Sequence, residues 1–316
     1  MKPLAPVEFP PEVEQTWRRA RRLEWITLGY LASAACLLYV TMGTSQAMRT
    51  SFYEDVISLV PAAAFLVGTS IARRRADPTW PYGTHRATSI AHLVAAIALC
   101  GMGLFLLAEA AMKVFTGEKP TIGGMTIMGT VVWAGWPMLG ALLYSSVPSF
   151  ILGRMKLRLA PKLHDKVLHA DAGMMRADWM AESATAVGVI GTGFGLWWLD
   201  PAAAALVSLS ILRDGLANLR TAVTDLADRR PRRADDTEWE PWPERLREML
   251  LKLDWVQAAE VRMREAGHIF LADVLVVPRP GTPDLVARIA EAAESARQLN
   301  WRVHEVTIMP VERIPD

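Results

Sequence analysis

The stretch that decides the fold is "DAGMMRADWMAE" at residues 171–182, which continues into the apolar run "SATAVGVIGTGFGLWW" at 183–198. The length of the whole segment predicts a membrane-spanning helix. Helical spacing places Asp171, Asp178 and Glu182 on one side, with Met174 and Met175 between them. An ionisable side chain inside a bilayer costs at least about 2.5–3.5 kcal/mol, so this acidic stripe indicates a functional site. The simpler alternative is that the acids lie at helix ends, in headgroups or water.

The composition extends this interpretation to the whole chain. The 316 residues are 52% hydrophobic and the mean hydropathy is +0.19, which is too apolar for an ordinary soluble protein of this length. The apolar residues fall into six blocks, each near or above the roughly 20 residues that cross a bilayer. We therefore predict six transmembrane helices. The blocks are Trp25–Gly43, Val56–Ala72, Ser89–Val114, Gly124–Ile151, Val167–Trp198 and Pro201–Leu219.

The distribution of charge predicts the orientation. The net charge of +1 gives no signal for nucleic acid binding. Basic clusters at 18–22, 73–75, 154–158 and 229–233 alternate with short loops that carry few basic residues. By the positive-inside rule, both termini are expected to be cytoplasmic, in a multi-pass protein of the inner membrane. The first span is expected to serve as an uncleaved signal anchor.

Two cysteines, Cys36 and Cys100, both lie inside apolar blocks. We expect them to be small buried hydrophobes, which argues against a disulfide or a zinc–thiolate site. The sequence predicts no prosthetic group.

The chain changes character after the sixth block. The charged, proline-rich stretch "DLADRRPRRADDTEWEPWPE" follows, and beyond it the pattern alternates between helical and strand periodicity in the order αββαβ. This order predicts a small α/β domain with helices on one face of a sheet, and "EAG" at 265–267 is its expected hairpin turn. The predicted organisation is a tail at 1–24, a transmembrane domain at 25–222, a linker at 223–242 and a cytoplasmic domain at 243–316.

A second acidic site lies in "TSFYEDVISLVPAAAFLVG" at 50–68. Glu54 and Asp55 are expected at or just inside the outer end of the second span, and Pro61 removes one backbone donor within it. Two pairs four residues apart each present two oxygens on one face, Ser51 with Asp55 or Glu54 with Ser58. Two acidic helices in one bundle predict a cation site between them. The alternative is an acid pair exposed in the outer loop.

These motifs, in this order, resemble the cation diffusion facilitator family. "PYGTHRA" (81–87) is similar to the family's P-Y/F-G-H-G-R/K-A-E at the start of helix 3, and "HADAGMMRADWMAES" (169–183) resembles its helix 5 pattern. "WWLDPAAAALVSLSIL" (197–212) resembles the opening of helix 6, and "AVTDLADRRP" (222–231) the end of the membrane domain. The resemblance implies six transmembrane helices followed by a ferredoxin-like αββαβ domain.

The resemblance also implies a function. Members of this family are homodimeric exporters that move a divalent metal out of the cytoplasm in exchange for protons. The implied transport site is tetrahedral, with two residues from helix 2 and two from helix 5. The transported metal would be Zn, Fe, Mn, Co or Ni, and the protein would not be an enzyme.

Carried over position by position, the helix 5 pair is Met174 and Asp178. The helix 2 pair is Ser51 with Asp55 in the favoured alignment, or Glu54 with Ser58 in an ungapped one. A thioether is a soft ligand that cannot take up a proton, whereas carboxylates prefer harder ions, so the metal stays open. Alternatively, Met174 serves packing only, and Glu182 or Asp171 supplies the missing ligand.

The resemblance assigns two further features. Arg86 and Asp228 match a membrane-surface salt bridge of the family that ties protomers or domains together. The secondary metal site of some relatives would fall on Asp77, Trp80 and Thr84, and is therefore expected to be lost. We also expect a C-terminal domain without a metal cluster. The competing hypothesis is a binding or scaffold protein that keeps the fold without transporting.

Overall fold

A computed structural model describes residues 9–41, 46–116, 124–127, 130–196 and 198–315. Six long helices precede a small α/β domain, as the sequence predicts. The helices are α1 (Pro11–Thr41), α2 (Gln46–Ala72), α3 (Ala87–Thr116), α4 (Gly135–Leu163), α5 (Lys166–Gly193) and α6 (Leu199–Leu226).

Within the described part of the chain, five helices are long and apolar enough to cross a membrane: α1, α2, α3, α4 and α6. The exception is α5, which carries Asp171, Arg176, Asp178 and Glu182. Its three acidic side chains are buried, and α5 packs against α2, α3, α4 and α6. α5 thus buries its acidic side chains against the neighbouring helices.

Three of the six apolar blocks begin at least ten residues from the start of the corresponding helix. The block Gly124–Ile151 does not begin as a helix: β1 (Gly124–Ile127) and β2 (Thr130–Trp133) form an antiparallel hairpin before α4. Its residues are mostly apolar, and several are β-branched, so hydropathy alone does not separate such a strand pair from a helix. Both α1 and α2 begin earlier than their apolar blocks do.

The early start of α1 has a packing reason. Trp17 and Ala20 lie outside the predicted span, yet both are buried in a cluster with Phe65 and Leu168. Residues 11–24 of the predicted tail therefore form the first part of α1. In α2 the early start places Glu54 and Asp55 two turns inside the helix rather than at its end.

The C-terminal domain has the predicted αββαβ order. It comprises α7 (Trp242–Leu251), β3 (Val256–Ala266), β4 (Ile269–Pro278), α8 (Leu285–Gln298) and β5 (Val303–Pro310). The strand order is β3-β4-β5, with β4 antiparallel to β3 and parallel to β5. Residues from both helices and all three strands form one core around Phe270 and Leu246.

This domain packs directly against one end of the helical bundle through buried ion pairs. The ammonium of Lys166, at the start of α5, contacts Asp225 of α6 at 2.6 Å and Glu265 of β3 at 2.9 Å. Arg302 contacts the other oxygen of Glu265 at 3.1 Å, and His268 contacts Asp165 at 2.7 Å. The predicted linker at 223–242 is therefore not the sole connection between the two domains.

The β3–β4 turn packs tightly against the segment around the start of α3. Gly267 has φ +66°, and a Cβ added there would lie 2.2 Å from the carbonyl oxygen of His85 and 2.3 Å from Oγ1 of Thr88. Glycine is required both by the left-handed conformation and by the absence of space.

Gly267→Ala is expected to destabilise the junction because the new methyl group collides with backbone at the start of α3. Gly281→Ala is the matched control, since Gly281 has φ +78° with nothing within 4 Å of an added Cβ. Both variants carry the conformational strain of about 1–2 kcal/mol, and only Gly267→Ala adds the collision. Thermal unfolding of the detergent-solubilised chain should show the larger loss for Gly267→Ala. Equal losses would contradict this account.

His85, in the loop that precedes α3, predicts a pH dependence of the same junction. Burial, with the neighbouring imidazoles of His304 and His268, lowers the pKa of His85 to about 4. An unfolded histidine has a pKa of about 6.5, so the unfolded chain binds more protons between these values. The free energy of unfolding should therefore fall as the pH drops from about 6.5 towards 4. His85→Gln should lose less stability over that interval, as measured by thermal unfolding midpoints, and an identical loss would contradict the assignment.

Candidate metal centre

α2 turns a row of polar side chains towards the inside of the bundle. Ser51, Glu54, Asp55 and Ser58 are each at most 2% exposed. Their spacing of three and four residues places them along one side of the helix. The residues that the sequence singled out in the second span are thus interior groups, and the exposed outer-loop alternative does not hold for them.

α2 and α5 meet at a hydrogen bond between two buried side chains. Ser58 Oγ donates to Asp178 Oδ1 at 2.5 Å. The second oxygen, Asp178 Oδ2, has no hydrogen-bond partner among the described residues. The contact joins Asp178 to the Glu54/Ser58 face of α2, the pair that the ungapped alignment gives.

Asp55 lies against α4 and α1. Ser145 Oγ donates to both carboxylate oxygens of Asp55 at 3.3 Å. The hydroxyl of Tyr30 on α1 donates to the backbone carbonyl of Ser145 and shares a hydrogen bond of 3.0 Å with Ser149 Oγ. Sequence reasoning missed these three residues. The available signal was the pair of hydroxyls four residues apart, Ser145 and Ser149, within an otherwise apolar span.

Glu182 lies one turn of α5 beyond Asp178 and is 1% exposed. The charges of Asp55 and Asp178 both act on its carboxylate. Within the described part of the chain, neither of its oxygens has a hydrogen-bond partner, and the same holds for Glu54 Oε2 and Ser51 Oγ. Burying oxygens without a hydrogen-bond donor costs free energy. Binding of a cation or of protons would offset that cost at this centre.

The centre offers oxygen atoms to a bound ion. Carboxylate and hydroxyl oxygens suit hard divalent cations. Among the described residues, no three His, Cys, Asp or Glu side chains converge closely enough to hold one metal ion in this conformation. Binding would require the carboxylates of α2 and α5 to move towards a common point.

Met174 and Asp171 lie in different surroundings from Asp178. Met174 is fully buried in an apolar cluster with Leu99, Met102 and Ile211, so its observed contacts are those of a packing residue. Its role as a ligand stays a prediction. Asp171 contacts the ammonium of Lys156 on α4 and does not supply a free carboxylate to the centre.

Arg86 and Asp228, the residues assigned to a salt bridge, form an ion pair within one chain. Arg86 Nη1 also donates to the carbonyl of Leu226 at 3.2 Å, which ties the start of α3 to the end of α6. Arg264 of β3 lies 3.8 Å from the other oxygen of Asp228. The pair therefore stands at the junction with the C-terminal domain, away from the α2–α5 contact.

The helical bundle matches a known family model. The family model described as the cation efflux transmembrane domain matches residues 25–227. The match includes all six long helices except the first part of α1, and therefore every residue of the α2–α5 centre.

Three relatives from Bacillus subtilis (strain 168) are similar in sequence. The uncharacterized transporter YdbO is 28% identical over 58% of this chain and 59% of its own length. The manganese efflux system protein MneS is 26% identical over 57% and 58%, and the manganese efflux system protein MneP is 25% identical over 83% and 84%. The chain thus spans less than two thirds of the length of the first two relatives.

The hydrogen bond between Ser58 and Asp178 is expected to stabilise the α2–α5 contact. Ser58→Ala leaves Asp178 Oδ1 buried without a donor, which should lower the free energy of unfolding by about 1–3 kcal/mol. Combined with Asp178→Asn, the two losses should not add, because both remove the same interaction. Ser183→Ala is the control, since Ser183 is exposed and bonds only within its own helix. Additive losses in unfolding experiments would contradict a direct contact.

Proposed function

The chain belongs to the cation efflux (cation diffusion facilitator) family, and from that premise we propose that it exports a divalent transition-metal cation from the cytoplasm in exchange for protons. The observation that carries this proposal is the buried contact between α2 and α5. Asp55, Asp178 and Glu182 bring three carboxylates into an interior where several oxygens have no partner among the described residues. A dication would supply the missing positive charge, and protons would supply it after the metal leaves.

We propose Mn²⁺ as the first ion to test. The side chains at the α2–α5 contact offer oxygen ligands, which suit Mn²⁺, whereas Zn²⁺ and Cu²⁺ sites more often contain imidazole or thiolate ligands. Two of the similar proteins are named as manganese efflux system proteins, which supports the same choice. Fe²⁺ is the second ion to test on the same argument, followed by Co²⁺, Ni²⁺ and Zn²⁺.

In the proposed mechanism, Asp55 and Asp178 bind the metal and later accept the exchanged protons. Glu182 and Glu54 are the additional ligands, while Ser58 and Ser145 hold Asp178 and Asp55 in place by donating hydrogen bonds. Metal and protons compete for the same oxygens, so one cannot bind fully until the other has left. Alternating access would come from a rigid-body movement of one helix group against another.

The orientation and the assembly are part of the proposal. Basic clusters near the ends of α1, α2, α4 and α6 support cytoplasmic termini in an inner membrane. The family resemblance supports a homodimer. The alternative function is a non-transporting binding or scaffold protein, which is favoured by the absence, among the described side chains, of three converging ligands in this conformation.

The proposal predicts Mn²⁺ flux that depends on Asp178. Protein reconstituted into vesicles with an interior pH dye should move Mn²⁺ in exchange for protons. Asp178→Asn should reduce the flux by at least about 100-fold because one of the carboxylates that bind the metal is lost. Asp214→Asn is the control, since Asp214 is an exposed acid of α6 paired with Arg176. It should transport like the wild type.

Two outcomes would decide between the proposals. Absence of flux with every metal, for wild-type protein shown to be folded, would overturn transport and favour the scaffold function. Flux without proton movement would overturn the antiport mechanism alone.

A further inference from the structure

A second buried charge cluster lies in the bundle, and the mechanism above does not use it. Lys156 Nζ on α4 contacts Glu24 Oε2 on α1 at 2.9 Å and Asp171 Oδ2 on α5. All three side chains have no exposed surface. We call these residues the lysine triad.

The lysine triad has more negative than positive charge. Two carboxylates share one ammonium, which leaves a net charge of −1 when all three groups are ionised. Among the described residues, Lys156 is the one cation that pairs with Glu24 or Asp171. Glu24 Oε1 and Asp171 Oδ1 are both buried with no hydrogen-bond partner in the described chain. An uncompensated charge in such surroundings is strongly unfavourable.

Apolar residues close the side of the lysine triad that faces the metal centre. Leu152 lies one turn from Lys156 and Met175 one turn from Asp171, and they pack with Leu31 and Leu59 in one cluster. The next turn of each helix carries the polar groups Ser149 and Asp178. The apolar layer therefore separates the two charged regions and keeps the lysine triad from sharing the ligands of the centre.

The lysine triad nevertheless lies within electrostatic range of the proposed metal. Asp171 and Asp178 are seven residues apart on one side of α5, which is roughly 10 Å along the helix. Asp171 and Asp178 interact electrostatically across the apolar layer, and Glu54, Asp55 and Glu182 are the other buried acids of the metal centre. On α1 and α4, the charged residues in direct contact within the triad are its own members, Glu24 and Lys156.

We propose that the lysine triad is a proton-binding site, distinct from the metal centre, which holds one proton on the Glu24–Asp171 pair. A proton needs only one of the unpartnered oxygens, and it brings the charge of the triad to zero. Binding of a dication on α5 disfavours that proton by repulsion, so the triad releases it when metal binds and regains it when metal leaves. This coupling rests on the proposed function, whereas the proton site itself does not.

The experiment uses Glu24→Gln and Asp171→Asn in the full-length chain. Each variant keeps the shape of the side chain and leaves Lys156 with one carboxylate, so each retains a neutral ion pair and has no surplus charge to protonate. Although they remove different groups, both variants are expected to lose the same single proton. If one variant does not fold, the other still tests the proposal. Asp214→Asn, which removes an exposed ion-paired acid, is the control.

The first measurement needs no metal. Infrared spectra of the protonated carboxyl C=O band, recorded during a pH titration, should lose the amplitude of about one group in each variant and none in the control. The second measurement counts protons released on Mn²⁺ binding in weakly buffered solution, and the number per metal ion should fall by about one in each variant.

The outcomes separate this inference from the proposed function. Infrared amplitude equal to that of the wild type in either folded variant overturns the proton site. Loss of the band with unchanged proton release overturns its coupling to the metal. Loss of the band in a protein whose wild type binds none of the divalent metals tested supports the proton site and overturns the proposed function.

Discussion

The low polarity of the bundle interior is the constraint on which the rest of this structure depends. A carboxylate there must be paired, hydrogen-bonded or protonated, because the hydration it loses is worth several kcal/mol. α5 carries three such groups, and the fold treats each differently. Asp171 contacts an ammonium from α4, and Asp178 accepts a hydrogen bond from a hydroxyl of α2. Glu182 has no hydrogen-bond partner among the described residues. The compensation weakens along the helix, from an ammonium that Asp171 shares with Glu24 to no hydrogen-bond partner at Glu182, and the proposed ion site lies where the compensation is weakest.

This gradient also explains the arrangement of the helices around α5. Carboxylates are unfavourable in contact with lipid, so α5 turns Asp171, Asp178 and Glu182 towards its neighbours. The enclosed position brings α2, α3, α4 and α6 into contact with it. Each neighbour meets a different face: α4 contributes Lys156 and α2 contributes Ser58, while α3 and α6 contribute the apolar residues around Met174.

The cost of burying charge also shapes the junction between the two domains, where each buried cation is paired with carboxylates. Lys166 and Arg302 are nearly fully buried, but each contacts two carboxylates, and Glu265 is shared between them. Removal of one partner from such a network leaves an uncompensated charge, so the network favours one relative position of the two domains. Because Lys166 begins α5, a movement of that helix would be transmitted to β3 of the C-terminal domain. The rigid-body movement proposed above would therefore be mechanically connected to this domain.

The sequence by itself determined the fold class and the family, and it predicted the region of the site. Runs of about 20 apolar residues have few solutions other than a helical bundle, and the αββαβ pattern identified the second domain. The sequence also singled out Asp178 and the polar face of α2, because acidic residues are rare in such apolar runs. It did not determine the β1–β2 hairpin, since apolar β-branched residues suit a strand as well as a span. Only the tertiary structure decided which carboxylate oxygens have a partner. Ser58 donates a hydrogen bond to Asp178, 120 residues away in sequence, and Lys156 forms an ion pair with Asp171 of the acidic stripe. Spacing along one helix fixes which side chains share a face, whereas the partner of each buried charge depends on how neighbouring helices are placed around it.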